Sequence, residues 1–146
     1  MRNPEITEQC EALVRFEAAY GGKAGAQENV VNVWWRGLRE ALDRKGWSGM
    51  RGSYGTMRVA LRYAPEDIAR FLAPEETGGD IELTIGYRLE IKAGAGFKQA
   101  QFDALLGARG QGEIRGFMYW FGKAPTQDVG DQFEYWGVDW YIIPGM

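Results

Sequence analysis

Hydrophobic positions along this chain switch between a helical and an extended period, and each switch marks an element boundary. From Ile6 to Tyr20 the apolar residues Ile6, Leu13, Val14 and Phe16 fall on one side of a helix, with Thr7 or Asn3 in position to cap it. The GGKAG segment, Gly21 to Gly25, ends that helix. A second helix is predicted from about Gln27 to Lys45, carried by Val30, Val31, Trp34, Leu38, Ala41 and Leu42 and stopped by Gly46. Trp34 and Trp35 are neighbours, so one helix face cannot bury both.

A glycine-rich loop over 48–55 precedes a clean alternation from Thr56 to Tyr63. Met57, Val59, Leu61 and Tyr63 point one way, Arg58, Ala60 and Arg62 the other, which predicts a strand with one basic face. Pro65 opens a short helix, PEDIARFLA, and PEETGG forms a turn. Asp80–Ile85 and Tyr87–Ala93 read as a hairpin about Gly86. Phe97 to about Ala108 reads as a helix, Glu113–Phe121 as a strand, and Gln132–Ile143 as a last, aromatic strand after the polar GKAPTQDVGD loop. The order is α-α-β-α-β-β-α-β-β, without an internal repeat or a second-domain boundary.

Composition changes this picture mainly by exclusion. With 146 residues, 45% hydrophobic and 25% charged, the chain is long enough for one soluble domain with its own core. No apolar run reaches membrane-spanning length and MRNPEITEQC lacks a signal-peptide core, so no membrane partner is expected. The single cysteine, Cys10, cannot pair internally. It implies a reducing, cytoplasmic setting and a small packing role. There is no histidine, which removes Ser-His and Cys-His catalysis and zinc sites built on histidine. Acid–base chemistry must then rest on carboxylates, lysine, tyrosine or a hard, oxygen-bound metal.

The net charge of -3 is unevenly spread. Residues 36–70 hold 8 basic and 4 acidic groups, a balance of +4, and residues 71–146 hold 6 basic and 11 acidic groups, a balance of -5. A basic segment beside an acidic one suits a metal site next to a phosphate-binding face, with Arg51, Arg58 and Arg62 as phosphate clamps. A solvated helix or strand surface gives the same pattern.

The chemistry concentrates in GGDIELTIGYRLEIKAGAGFKQAQFD, Gly78 to Asp103. Strand periodicity puts Glu90 and Lys92 on one face. Folding about Gly86 brings Asp80 near Lys92, with Glu82 nearer Glu90 and able to replace Asp80 as a ligand. Carboxylates on adjacent strands repel unless a cation lies between them. Asp80 and Glu90 are therefore candidate Mg²⁺ (or Mn²⁺) ligands, and Lys92 a candidate to orient water or stabilise charge on a phosphate. An exposed strand face with an ordinary cross-strand ion pair is the plainer reading.

These residues resemble the PD-(D/E)XK nuclease superfamily: Asp80, then nine residues, then Glu90-Ile91-Lys92. The nearest branch is the virus-type replication-repair nucleases, with Gly79-Asp80, Glu90-Ile91-Lys92, Gly94 and Gly96, and Gln101 as matching positions over roughly residues 27–121. Gly79 stands where that branch has proline, and Lys98 where it has serine or threonine. The resemblance implies an α/β (α+β) fold with a restriction-endonuclease-like core, a mixed β-sheet flanked by helices. Residues 1–24 would be a helical extension and 122–146 a C-terminal aromatic strand. It also implies metal binding by Asp80, Glu90 and the Ile91 carbonyl, catalysis by Lys92, and support from Gln101 and Glu28. Lys98 joins the arginines as a DNA contact. The implied activity is Mg²⁺-dependent cleavage of DNA by a homodimer, on branched DNA as for small stand-alone members of that branch. A nuclease-like fold that binds or inhibits without cutting is the alternative, and an unrelated α+β interaction protein a third. The aromatic C-terminal residues fit base stacking, core packing or a dimer interface.

Overall fold

The computed structural model describes residues 4–44, 48–73, 75–76, 78–92, 97–110, 115–121 and 124–143. Gly46, Gly94, Gly96 and Asn3, singled out from the sequence, lie outside the described residues. Helix α1, Pro4–Tyr20, buries Gln9, Leu13, Phe16 and Tyr20, a spacing of four, three and four that keeps one stripe inward. Val14 lies off that stripe and is exposed. Cys10 is exposed too, so it is not the packing residue expected. Helix α2 opens with a π-type turn, Gln27–Val31, and continues over Asn32–Arg44. Trp34 is fully buried and donates from Nε1 to Gln9 Oε1 at 2.8 Å, while Trp35 stays exposed.

The expected strand at 56–63 is instead the end of a helix, to Ala60, and a turn after it. A 3-10 turn, Ser48–Met50, leads into α3, Arg51–Ala60, in which Ser53, Tyr54, Gly55, Thr56, Met57, Val59 and Ala60 are all buried. A segment enclosed on most sides has no face that must stay polar, so its alternation carried no strand information. The expected Pro65 helix shrinks to one 3-10 turn, Pro65–Asp67, and its remainder becomes strand β1, Ile68–Phe71.

Strands β2, Ile81–Leu83, and β3, Tyr87–Lys92, form the expected hairpin around Gly86, which has φ 87° and donates to the Leu83 carbonyl. Helix α4, Gln99–Gly110, then connects to β4, Arg115–Phe121. The expected final strand is instead a helix and a shorter strand: α5, Gln127–Trp136, and β5, Asp139–Ile143. Gly137, at φ 65°, closes α5 through its N–H to the Glu134 carbonyl. Val138 N–H bonds back to Phe133, and Val138 and Phe133 share one apolar cluster.

The five strands make one mixed sheet in the order β1-β2-β3-β4-β5. The β1-β2 and β2-β3 pairs are antiparallel, and β3-β4 and β4-β5 are parallel. A principal core joins α1, α2 and α3 to Ile68, Phe71, Ile81, Leu89 and Ile91 of the sheet. A second, smaller cluster, with Phe102, Leu105, Val129, Phe133 and Val138, packs α4 against α5. No helix among the described residues is long and apolar enough to cross a membrane.

Candidate metal centre

Leu89 and Ile91 belong to the principal core, so strand alternation turns Glu90 to the other face of β3. It enters a cavity of about 430 Å³ lined also by Asp80 and Ile91, by Asn29 and Arg36 from α2, and by Gln101 from α4. Asp80 is fixed from three directions. Its N–H donates to the Leu89 carbonyl at 2.7 Å, its carbonyl accepts from Leu72 N–H at 2.9 Å, and its Oδ2 accepts from Ile91 N–H at 2.8 Å. This tight seat depends on Gly79. At φ 121° it adopts a conformation other residues avoid, and a Cβ there would lie 3.2 Å from the Leu89 carbonyl oxygen.

The Asp80 and Glu90 carboxyls are close enough to hydrogen-bond: Asp80 disfavours a charge on Glu90, whereas the bond from Glu90 favours a charged Asp80. Glu90 is pushed up to about 8, first by burial and then by the charge of Asp80, against the opposing pull of Lys92. Asp80 is also raised, chiefly by burial, with Ile91 N–H, Lys92 and Glu90 opposing the rise. At neutral pH the pair therefore holds a proton that two exposed carboxylates would have released. Lys92 Nζ stands 3.6 Å from Glu90 Oε1, although Lys92 does not itself line the cavity. Across the cavity, Gln101 Oε1 is buried and is an acceptor without a hydrogen-bond partner among the described residues.

Asp80, Glu90, Ile91 and Gln101 are thus gathered in one cavity, with Lys92 beside Glu90. Other sequence-based expectations fail. Glu82 pairs with Arg88 in the strand register rather than with Glu90, and its two oxygens are taken by Arg70 at 3.0 Å and Arg88 at 3.1 Å. It does not line the cavity, so it is no substitute for Asp80. Glu28 is exposed on the π-type turn and points no carboxyl into the cavity; its neighbour Asn29 lines it instead, and bonds the Phe71 carbonyl.

Arg51, Arg58 and Arg62 lie on or just after α3 rather than on a basic strand face. Arg51 is bound to Glu5 at 2.8 Å, and Arg58 and Arg62 line a separate groove with Glu8 and Glu11. Lys98 is exposed, and its carbonyl accepts the N–H groups of Gln101 and Phe102 at the start of α4. Among the described residues, the cation that lines the cavity is Arg36. It sits two residues after the buried Trp34 on α2, and nothing local distinguishes it from other solvated arginines.

Chemically, the cavity offers two convergent carboxylates, an orphaned amide oxygen and a nearby ammonium. All of the oxygen donors are hard, which suits Mg²⁺ or Mn²⁺ and not a thiophilic metal. Among the described residues no group of three or more carboxylate, histidine or cysteine side chains converges, so water or substrate would complete any coordination shell. Comparison with protein-family models, with curated proteins and with solved structures finds no match for the chain.

Proposed function

We propose that the protein is a divalent-metal-dependent DNA endonuclease of the PD-(D/E)XK kind, nearest the virus-type replication-repair branch and working in a cytoplasmic, reducing setting. One observation carries the reading: two buried carboxyls, Asp80 and Glu90, are held together in a cavity with a lysine beside them. Uncompensated like charges in a buried site are costly, and an arrangement that keeps them together suits a cation. The strand order supports the same reading. An antiparallel β1-β2-β3 unit, then α4, then β4 parallel to β3, is the order expected of a restriction-endonuclease-like core.

Asp80, Glu90 and the Ile91 carbonyl would hold the metal, which when bound supplies Lewis-acid neutralisation of the phosphate and a more acidic water. The chain's own groups do the rest. Gln101 Oε1 accepts a hydrogen bond from a water and so orients it. Lys92 Nζ lies beside Glu90 to stabilise negative charge developing on the phosphoryl oxygens. Arg36 draws the phosphodiester to the cavity mouth. Each copy carries one such cavity, so cutting both strands of a duplex or junction calls for two copies.

A nuclease-like fold that binds without cleaving is favoured by one observation: Glu76, paired with Arg70, lines the same cavity as Arg36, leaving little positive charge there to stabilise a phosphate while it is cut. The test is incubation with linear, flapped and four-way-junction DNA, with Mg²⁺ or Mn²⁺ and with chelator. The nuclease reading predicts cleavage that chelator, Glu90→Gln and Lys92→Ala each abolish. DNA binding with no cutting under either metal would establish the binding module instead.

A further inference from the structure

The C-terminal face of the molecule is built unlike the rest. Strand β5 closes the sheet order and, among the described strands, pairs only with β4. Its outer backbone edge has no strand partner among the described residues. Asp139, Trp140, Tyr141 and Ile142 are all exposed, although the Tyr141 ring also packs on Tyr119 at 5.2 Å between centroids, so both faces of β5 stay partly open along most of its length. Trp140 is 39%, Tyr141 49% and Ile142 45% exposed, and on the adjoining α5 Tyr135 is 79% and Trp136 49% exposed. A groove of about 570 Å³ runs between α5 and β5, lined by Asp131, Glu134, Asp139, Trp140 and Tyr141. Every ionisable group from residue 124 to 143 other than tyrosine is acidic: Asp128, Asp131, Glu134 and Asp139, with no lysine or arginine.

An open strand edge recruits another strand through main-chain hydrogen bonds. The charge decides which. Phosphates would be repelled here, so these aromatics do not serve an unpaired nucleic-acid strand. A second copy joined across a two-fold axis would set carboxylates against carboxylates. A cationic side chain gains from both groups in the groove, an ion pair with a carboxylate and the π face of Trp140 or Tyr141.

We infer that the β5 edge and the α5–β5 groove are a docking site for an extended basic polypeptide, which adds as a sixth strand and lays arginine or lysine side chains into the groove. Alternate residues of a strand point to one face, so the matching segment carries a basic residue at every second position.

The experiment is fluorescence anisotropy with a labelled peptide of about ten residues alternating arginine and threonine. Two control peptides accompany it, one with glutamate for arginine and one with proline for threonine. The docking site predicts binding of the arginine–threonine peptide that weakens with salt and is weakened at least about tenfold by Asp131→Lys with Glu134→Lys. The paired change Glu40→Lys with Asp43→Lys, on exposed positions of α2, leaves it unaltered. The proline peptide binds at least about tenfold more weakly, since it cannot complete the strand. Equal binding of the proline peptide, or no effect of the α5 reversal, overturns the inference. So does self-association or DNA binding that Trp140→Ala abolishes. All these outcomes are read without metal and are independent of nuclease activity.

Discussion

Replacing Glu90 by glutamine isolates the energetic signature of the paired carboxyls. The Glu90 carboxyl titrates at about 8 in the folded chain against an ordinary value of 4.5. A carboxyl that binds its proton more tightly when folded favours the folded state at low pH. Stability is therefore lost as pH rises from about 4.5 through about 8, the reverse of a salt-bridged carboxylate. The slope is about 1.4 kcal/mol per pH unit, so the full window amounts to at most about 5 kcal/mol and the part below pH 7 to about 3 kcal/mol.

Glutamine keeps the size, can still donate to Asp80, and cannot ionise. In chelator, Glu90→Gln should match the parent near pH 5 and exceed its stability by about 2–4 kcal/mol at pH 8, allowing for sharing of the proton within the pair. Urea unfolding followed by the fluorescence of the 6 tryptophans, repeated at intervals from pH 5 to 8.5, measures this directly. Parallel stability curves for parent and variant across that range would refute the claim that burial and Asp80 hold Glu90 protonated.

Gly79→Pro should destabilise by about 3 kcal/mol or more, because proline is confined near φ −65° and the chain runs through 121° there; a urea midpoint checks it. Trp34→Phe leaves the buried Gln9 oxygen without its 2.8 Å donor and should cost about 1–3 kcal/mol, read by thermal unfolding. Arg36→Ala should weaken DNA affinity several-fold without moving the unfolding midpoint. Arg51→Ala, whose guanidinium is occupied by Glu5, should leave affinity unchanged; anisotropy on labelled DNA compares the two.

The legible parts of this chain were those where one local signal dominated. The hairpin about Gly86 followed from a glycine between two alternating runs, and it carried Asp80, Glu90 and Lys92 to one end of the sheet. Register is less legible. The three-residue turn over 84–86 sets Glu82 opposite Arg88 and Ile81 opposite Leu89, and that register brings Asp80, not Glu82, to Glu90.

Helix α3 was lost to coincidence, since a helix buried nearly all round can alternate by chance over eight residues. Helix α5 was misread because its aromatic residues suggested a strand. Its own signals were present in Thr126 before the first turn, Asp128 within it and Gly137 after it. Arg36 could not be found from sequence, because its position depends on how α2 lies over the cavity. Charge alone marks Arg51, Arg58 and Arg62 as phosphate clamps, and charge does not reveal that Glu5 occupies Arg51.

The central claim is that Asp80 and Glu90 are kept together for a divalent cation, and calorimetric titration of the protein with Mn²⁺ at pH 7 in buffers of differing ionisation enthalpy tests it. The expected result is one Mn²⁺ per chain, release of about one proton from the pair on binding, and loss of both in Asp80→Asn with Glu90→Gln. Undetectable binding, or binding that the double variant leaves intact with no proton released, would contradict it.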